Sequence, residues 1–535
     1  MDKIKLGISS CLLGENVRYD GRHKLDHYLK DELGKIVDWV GVCPEVECGL
    51  GVPREAMRLI GPLDSPRLVT KDSDIDHTEK MLSWAGERLK QLEKEGLAGF
   101  VFKNNSPSCG LSSVFSKKGT GVFAKEFISR FQLVPVEDEI ALHDEMKMKD
   151  FIERIFAFKR QGLYIHIPFC RQKCLYCDFY SAPYAEGLAD SYVSVILKQI
   201  RELDQNFSSI YIGGGTPSVL SRDLLDKLLS GLKRFIGLDT EFTIEVNPES
   251  VDEEKLKLFL DKGVNRISIG VQSFDDKKLK SLGRIHGAKQ AVEAIELSKK
   301  SGFKNVSIDM IFGAGMENLK AWQAELEKAV ACGCRHISCY SLSYEKDTPL
   351  FRMREKRDIT PLDDETMAEM YGYAMSYLPG AGFEHYEISN FAKPGFECAH
   401  NLNYWDNNPY VGLGPSAVSY IDGARSENVR DAEEYVDRYK KGVDIVTYRE
   451  KLSGLRMAKE TAGVKIRVKQ GIDYDWFKNK TGFNFEDIIE KIALDELFKD
   501  NLLEYKIDKT TRERLGIMLT EKGFLFSDTV SSAFL

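Results

Sequence analysis

The run Tyr164-Ile-His-Ile-Pro-Phe-Cys170-Arg-Gln-Lys-Cys174-Leu-Tyr-Cys177-Asp-Phe179 decides how this chain is read. An apolar strand candidate, residues 163–167, runs into three cysteines spaced C-x3-C-x2-C on one loop. Three thiolates so spaced suit three corners of a 4Fe–4S cube and leave its fourth iron without a protein ligand. A structural zinc site closes with four ligands, often as paired C-x2-C units, and no second pair follows here. An iron left open is able to chelate an amine and a carboxylate, the two groups that methionine carries.

Working outward, apolar strand runs recur at residues 163–167, 209–212, 241–246, 266–271, 305–312 and 336–342. Helical patterns fill the gaps at 188–203, 223–235, 253–262, 289–300 and 319–331. Strands alternating with helical crossovers make a parallel sheet. Six such repeats fall short of the eight of a closed barrel, so an open, partial (β/α)6 barrel is predicted. Cys170, the glycine run 213–215 with Thr216, and Gln272 would then stand beyond strand ends on one rim, where α/β sheets bind ligands. After residue 380 the periodicity loosens. Residues 382–420 are rich in aromatics, Asn, Gly and Pro, and 432–535 predict short helices with a small hairpin, a mostly helical, winged-helix-like tail.

The amino-terminal part repeats the theme on a smaller scale. Strand candidates at 5–9, 37–43 and 99–103 each deliver a cysteine at the carboxyl end: Cys11, Cys43 and Cys109. A polar helix is expected at 76–95, and a charged linker helix at 138–160. The chain is therefore read as an α/β protein in four parts: a small α/β domain (1–140), a linker helix (141–160), the partial barrel (161–380) and the tail region (381–535).

Composition narrows the function classes. The formal net charge of −8 supplies no global basic field, so no nucleic-acid partner is expected. No run approaches the ~18 apolar residues of a membrane span, and the start MDKIKLGISSCLLG lacks a signal-peptide pattern. Eleven cysteines concentrated in motifs of a long chain fit a reducing, cytoplasmic setting better than a disulfide framework.

The central motif, with Gly213-Gly-Gly-Thr216-Pro217 after the second strand and Glu245 in Glu-Val-Asn-Pro-Glu-Ser, resembles the radical S-adenosylmethionine (SAM) superfamily. From residue 163 onward the chain resembles the branch that holds oxygen-independent coproporphyrinogen III oxidases and HemW-type heme chaperones. The resemblance implies a 4Fe–4S cluster on Cys170, Cys174 and Cys177. It implies SAM contacts from Tyr164, Phe179, Gly214, Gly215, Thr216, Glu245, Gln272, Arg284 and Asp309, and an electron donor such as flavodoxin or ferredoxin. Phe179 stands where the oxidases carry a further cysteine, which favours the HemW side. The run His400-Asn-Leu-Asn-Tyr404-Trp405 resembles a motif tied to heme handling in that branch. It implies His400 as a heme ligand, the alternative being a packed aromatic turn with a hydrogen-bonded histidine. The chain departs from the family at Gly313-Ala-Gly-Met316-Glu-Asn318, where G-L-P-G-Q-T is usual.

The first 140 residues carry Ser9-Ser-Cys11-Leu-Leu-Gly14, Cys43-Pro-Glu45 and Ser106-Pro-Ser-Cys109-Gly110, which resemble thiouracil desulfidases. That implies a second cluster on Cys11, Cys43 and Cys109, with Glu45 and Ser106 catalytic; Cys48 is an alternative ligand, and buried cysteines also serve as plain core residues. The function so expected is a HemW-like radical SAM protein, enzyme or heme chaperone, fused to a desulfidase-like domain. Two alternatives are a two-cluster enzyme acting on a thio-substituted nucleobase and a non-catalytic carrier passing heme to a recipient protein. Cys332, Cys334, Cys339, His286, His336 and His385 are expected to be structural.

Overall fold

The computed structural model describes residues 4–62, 65–95, 97–111, 113–114, 117–131, 134–159, 161–203, 207–237, 240–421, 423–452, 454–508 and 510–535. The chain forms two compact units, Met1–Lys159 and Arg160–Leu535.

The first unit is built on a parallel four-stranded sheet in the order Val37–Val42, Ile4–Ser9, Phe100–Phe102, Val136–Asp138. Alternation sets its two faces, because successive strand side chains point opposite ways. Phe100 and Phe102 pack with Met81, Ala85, Leu89 and Leu92, one apolar stripe of the helix Thr78–Glu95. Val101, between them, joins Leu6 and Ile8 on the other face. Gly7 makes this packing possible, since a Cβ there would stand 2.1 Å from the Phe100 ring. The helix anticipated as a linker, Glu145–Lys159, lays Met148, Phe151 and Ile155 into that second face. It is a packed layer of the first unit, not a free connector, because its apolar residues recur at helical spacing and are buried there.

The second unit contains the six parallel strands Gly162–Ile167, Ser209–Gly214, Glu241–Val246, Arg266–Gln272, Asn305–Phe312 and His336–Ser341, each paired with the next. Helices such as Glu186–Glu202, Arg222–Leu232 and Leu319–Ala331 cross between them. Ile165, Ile210, Ile244, Ile267, Ile308 and Ile337 belong to the fully buried apolar core. Intervening positions are polar: Tyr164, Tyr211, Thr243, Arg266, Ser307 and His336. Ser221, Asp252 and Asn318 cap three crossover helices by accepting backbone amides, each cap worth ~1 kcal/mol.

Beyond residue 380, where the sequence pattern loosens, short strands join the barrel sheet before the helical tail. Asn390–Ala392 pairs antiparallel with the sixth strand, and Tyr410–Leu413 pairs parallel with the first. Val418–Ile421, Ala424–Asn428 and Val446–Lys451 continue as an antiparallel meander. The open barrel thus has both its edges covered, the usual answer to unpaired strand edges. A helix forms at Ala432–Lys440 as expected, and the helical, winged part from Leu455 onward holds a small antiparallel sheet of Ile472–Asp473, Leu503–Ile507 and Arg514–Leu519.

Candidate iron–sulfur sites

In the second unit, the first strand ends at Ile167 and the chain enters the cysteine loop at the carboxyl rim. The glycine turn after the second strand folds onto its start: Gly215 N donates to Ile167 O (2.8 Å) and Thr216 N to Phe169 O (2.8 Å). Gly215 has no room for a side chain, its Cβ falling 2.7 Å from Phe169 O, and Gly214 adopts φ +105°, which glycine alone takes without strain. Leu175, inside the loop, is tied to Leu282 and Leu350 by backbone bonds of 3.1 and 2.9 Å.

Two of the three thiols receive a side-chain donor. Thr216 Oγ1 donates to Cys170 Sγ at 3.5 Å, and Arg284 Nη1 to Cys174 Sγ at 3.3 Å. Burial pushes the Cys177 thiol up to about 11, against a lowering contribution from the Phe179 amide. Metal binding therefore has to displace a proton there. Among the described residues no three His, Cys, Asp or Glu converge on a single metal ion. Donors aimed at sulfur and a glycine cradle beside the loop fit a thiolate-held cluster.

The remaining predicted contacts sort into two groups. Glu245 accepts from Tyr211 Oη (2.7 Å) and from Gly214 N (3.2 Å), and burial raises its carboxyl to about 7. Asp309 accepts from Ser338 Oγ (2.8 Å) and Ser268 Oγ (3.2 Å), and burial raises it too. Gln272 closes the fourth strand at φ +63°, a conformation uncommon outside glycine, at a register shift that begins after Ile269. Tyr164 Oη donates to His166 Nδ1 (3.0 Å), whose Nε2–H is given to Tyr180 O (3.0 Å). Phe179 stands apart, 62% exposed on the loop.

His400 lies at the other end of the strands. Its neighbours Gly162, Ser209 and Glu241 are the first residues of the first three strands, whereas the cysteines follow the carboxyl ends. Ser209 Oγ is 2.8 Å from its Nδ1 and Tyr404 Oη 2.9 Å from its Nε2, so both ring nitrogens are engaged. The ring is buried, stacks on Tyr211 (5.1 Å) and is pushed down to about 3 by burial and by nearby Arg266. Cys398, unassigned from sequence, points its thiol at Glu241, which also accepts the Ala399 and His400 amides at 3.0 Å. The departing loop after Phe312 is held by Glu317, which accepts from Gly313 N (2.8 Å) and pairs with buried Lys278 (2.6 Å). Lys278 also pairs with Glu325 at 2.6 Å. Cys334 and Cys339 are buried core residues, and His286 and His336 each have a ring nitrogen held by a neighbour.

In the first unit Cys11, Cys43 and Cys109 follow three neighbouring parallel strands. Each of these thiols lies within electrostatic reach of another of the three. Burial pushes Cys11 to about 12 and Cys43 to about 11. Cys48 instead donates to Glu45 O at 3.3 Å and is packed among the Phe100 face. Glu45 is clamped on both oxygens: Ser108 Oγ donates to Oε1 (2.9 Å), and Arg54 Nε to Oε2 (2.8 Å). Ser106 is turned to another task, its Oγ accepting from the Ser108 and Cys109 amides at 3.3 and 3.1 Å. Ser108 and Arg54 were missed from sequence. Ser108 sits one residue before a ligand candidate, but nothing marked it above Ser106.

An open parallel barrel with three cysteines on the first rim loop defines a radical SAM protein, and the Radical SAM superfamily model matches residues 164–329. The chain belongs to the HemW family. It is 35% identical to the heme chaperone HemW of Lactococcus lactis subsp. lactis (strain IL1403), over 70% of this chain and 98% of that protein. It is 34% identical to the heme chaperone HemW of Bacillus subtilis (strain 168), over 70% and 99%. The fold resembles the Escherichia coli radical SAM coproporphyrinogen III oxidase HemN, with a TM-score of 0.61 and 20% identity, over 70% of this chain and 90% of that one. The 2-thiouracil desulfurase model matches residues 6–139. The chain is thus a HemW-type radical SAM protein with an amino-terminal desulfurase-like domain. The radical SAM domain implies a 4Fe–4S cluster, SAM and a reductant. No helix among the described residues is long and apolar enough to cross a membrane.

Proposed function

We propose that this protein binds SAM on a 4Fe–4S cluster held by Cys170, Cys174 and Cys177, handles heme, and carries a second cluster in a sulfur-removing amino-terminal domain. The observation that carries the reading is the paired donation of Thr216 and Arg284 to two sulfurs of one loop. When bound, the cluster supplies one-electron reduction of the SAM sulfonium. The chain's own residues hold and orient: the glycine turn admits the ligand backbone-close, Gln272 and Asp309 offer polar contacts, and Glu245 is poised near neutrality to hold a proton.

Iron and sulfide content after anaerobic reconstitution tests this, on wild type and on Cys170/Cys174/Cys177→Ala. About eight irons falling to about four supports one open-iron cluster per unit. About four falling to zero removes the amino-terminal cluster. No iron lost in the triple variant overturns the central assignment.

Heme contact through His400 requires the Tyr404 bond to open, since both ring nitrogens are engaged. Heme titration is then expected to weaken in His400→Ala and to persist or tighten in Tyr404→Phe. Tight binding untouched by His400→Ala overturns this use of the motif.

In the first unit Glu45 is held by Arg54 and Ser108, and that supports its moving a proton during replacement of sulfur by oxygen. Loss of 2-thiouracil desulfuration in both Cys43→Ala and Glu45→Ala is expected; unchanged turnover sinks the claim.

A further inference from the structure

Asn247 stands between the two residues that reach the cluster cysteines, and its amide has only one workable orientation. Arg284 Nη2 donates to Asn247 Oδ1 (2.6 Å) and to Gly270 O (2.7 Å), while Nη1 reaches Cys174 Sγ. A guanidinium has donors and no acceptor, so Asn247 must present its oxygen to Arg284 and its NH2 to the other side. There Nδ2 donates to Thr216 Oγ1 at 3.0 Å. A hydroxyl has a single proton. With its acceptor side already taken by an N–H, Thr216 directs that proton to Cys170 Sγ. The backbone holds Asn247 in place, its N–H on Ser218 Oγ (3.4 Å) and its carbonyl taking Ser250 N (3.0 Å). Gly270 leaves the room: a Cβ there would stand 2.8 Å from Asn247 Oδ1 and 3.1 Å from Arg284 Nη2.

We propose that Asn247 is a positioning residue whose amide fixes the direction of hydrogen bonding toward Cys170 and Cys174, and through it the reduction potential of their cluster. The inference rests on the cluster assignment above. Hydrogen bonds donated to cluster sulfur help set the potential, and they favour the reduced, more negative state. The unusual feature is the chain Arg284–Asn247–Thr216, which ties two ligand sulfurs to one side chain and lets a single amide govern both.

Asn247→Asp keeps the shape and the Arg284 contact but accepts on both sides, so the Thr216 proton turns to the carboxylate and Cys170 loses its donor. Thr216→Val removes that donor without adding charge, and Thr216→Ser keeps the hydroxyl. The measurement is an EPR-monitored redox titration of the full-length, reconstituted protein, following the signal that changes when SAM is added. Asn247→Asp and Thr216→Val are expected to lower the midpoint potential at unchanged iron content, and Thr216→Ser to keep the wild-type value. The Asn247→Asp shift is expected to be smaller in the Thr216→Val background, because part of it acts through Thr216. An unchanged midpoint in Asn247→Asp, or an equal shift in both backgrounds, overturns the inference while leaving the cluster assignment intact. Iron content unaffected by Cys170/Cys174/Cys177→Ala overturns the assignment and the inference together.

Discussion

Ser108 Oγ donates to Glu45 Oε1 at 2.9 Å, on the carboxylate whose other oxygen takes Arg54. Both partners of the ion pair are mostly buried, with 9% and 14% of their side chains exposed. Removing one partner of such a pair leaves a buried charge uncompensated, at a cost of about 3–5 kcal/mol. Arg54→Met is expected to lower the unfolding free energy of the first unit by that order, measured by urea denaturation. Ser108→Ala removes one hydrogen bond to a charged group and is expected to cost about 1.5–3 kcal/mol. Ser106→Ala, in contrast, loosens the turn before Cys109 and leaves Glu45 clamped.

Gly214→Ala forces a side chain onto a φ of +105° and places a Cβ 2.5 Å from His166 Nδ1. A drop in stability of about 1–3 kcal/mol is expected, together with weakened SAM binding by equilibrium dialysis. Gly372→Ala is the control. It lies within the helix Asp364–Gly380 with nothing near its would-be Cβ, and should gain about 0.5–1 kcal/mol.

Burial raises the Glu245 carboxyl from its ordinary 4.5 to about 7. The folded state then holds a proton that the unfolded chain releases. The stability from this group is full below about 4.5 and is lost as pH rises through about 7. Glu245→Gln, permanently neutral, should therefore gain stability relative to wild type between pH 4.5 and 7. Urea midpoints across that window check it, and a pH-independent difference contradicts the assignment.

Phe151 of the helix Glu145–Lys159 is fully buried with Leu6, Ile8 and Val101. Phe151→Ala is expected to cost the first unit about 3–5 kcal/mol. Iron bound through Cys170, Cys174 and Cys177 should remain. Unchanged stability of the first unit would contradict the packing of this helix as one of its layers.

Much of the second unit was legible. All six barrel strands fall within two residues of their expected ends, and the helix expected at 319–331 forms as Leu319–Ala331. Apolar–polar alternation and helical spacing are local signals that survive in any compact fold. The edge strands were not legible. Asn390–Ala392 and Tyr410–Leu413 are short and lie among Gly, Pro and Asn, and they become strands by pairing with a barrel edge already present. The linker helix was seen as a helix and misplaced as a connector, since a charged pattern with a narrow apolar stripe does not say what the stripe meets.

By itself the sequence determined the chemistry on offer: C-x3-C-x2-C on one loop, a glycine run behind the second strand, and three further cysteines each behind a strand. Those features depend on covalent spacing and on local backbone geometry, which the order of residues dictates. Tertiary structure decided which polar groups meet. It brought Ser108 and Arg54 to Glu45, and set Asn247 between Arg284 and Thr216. It also placed His400 at the amino ends of the strands with both nitrogens engaged. Hydrogen-bond partners are chosen by distance and direction in space, and residues as far apart as Ser209 and His400 become neighbours only once the sheet has assembled.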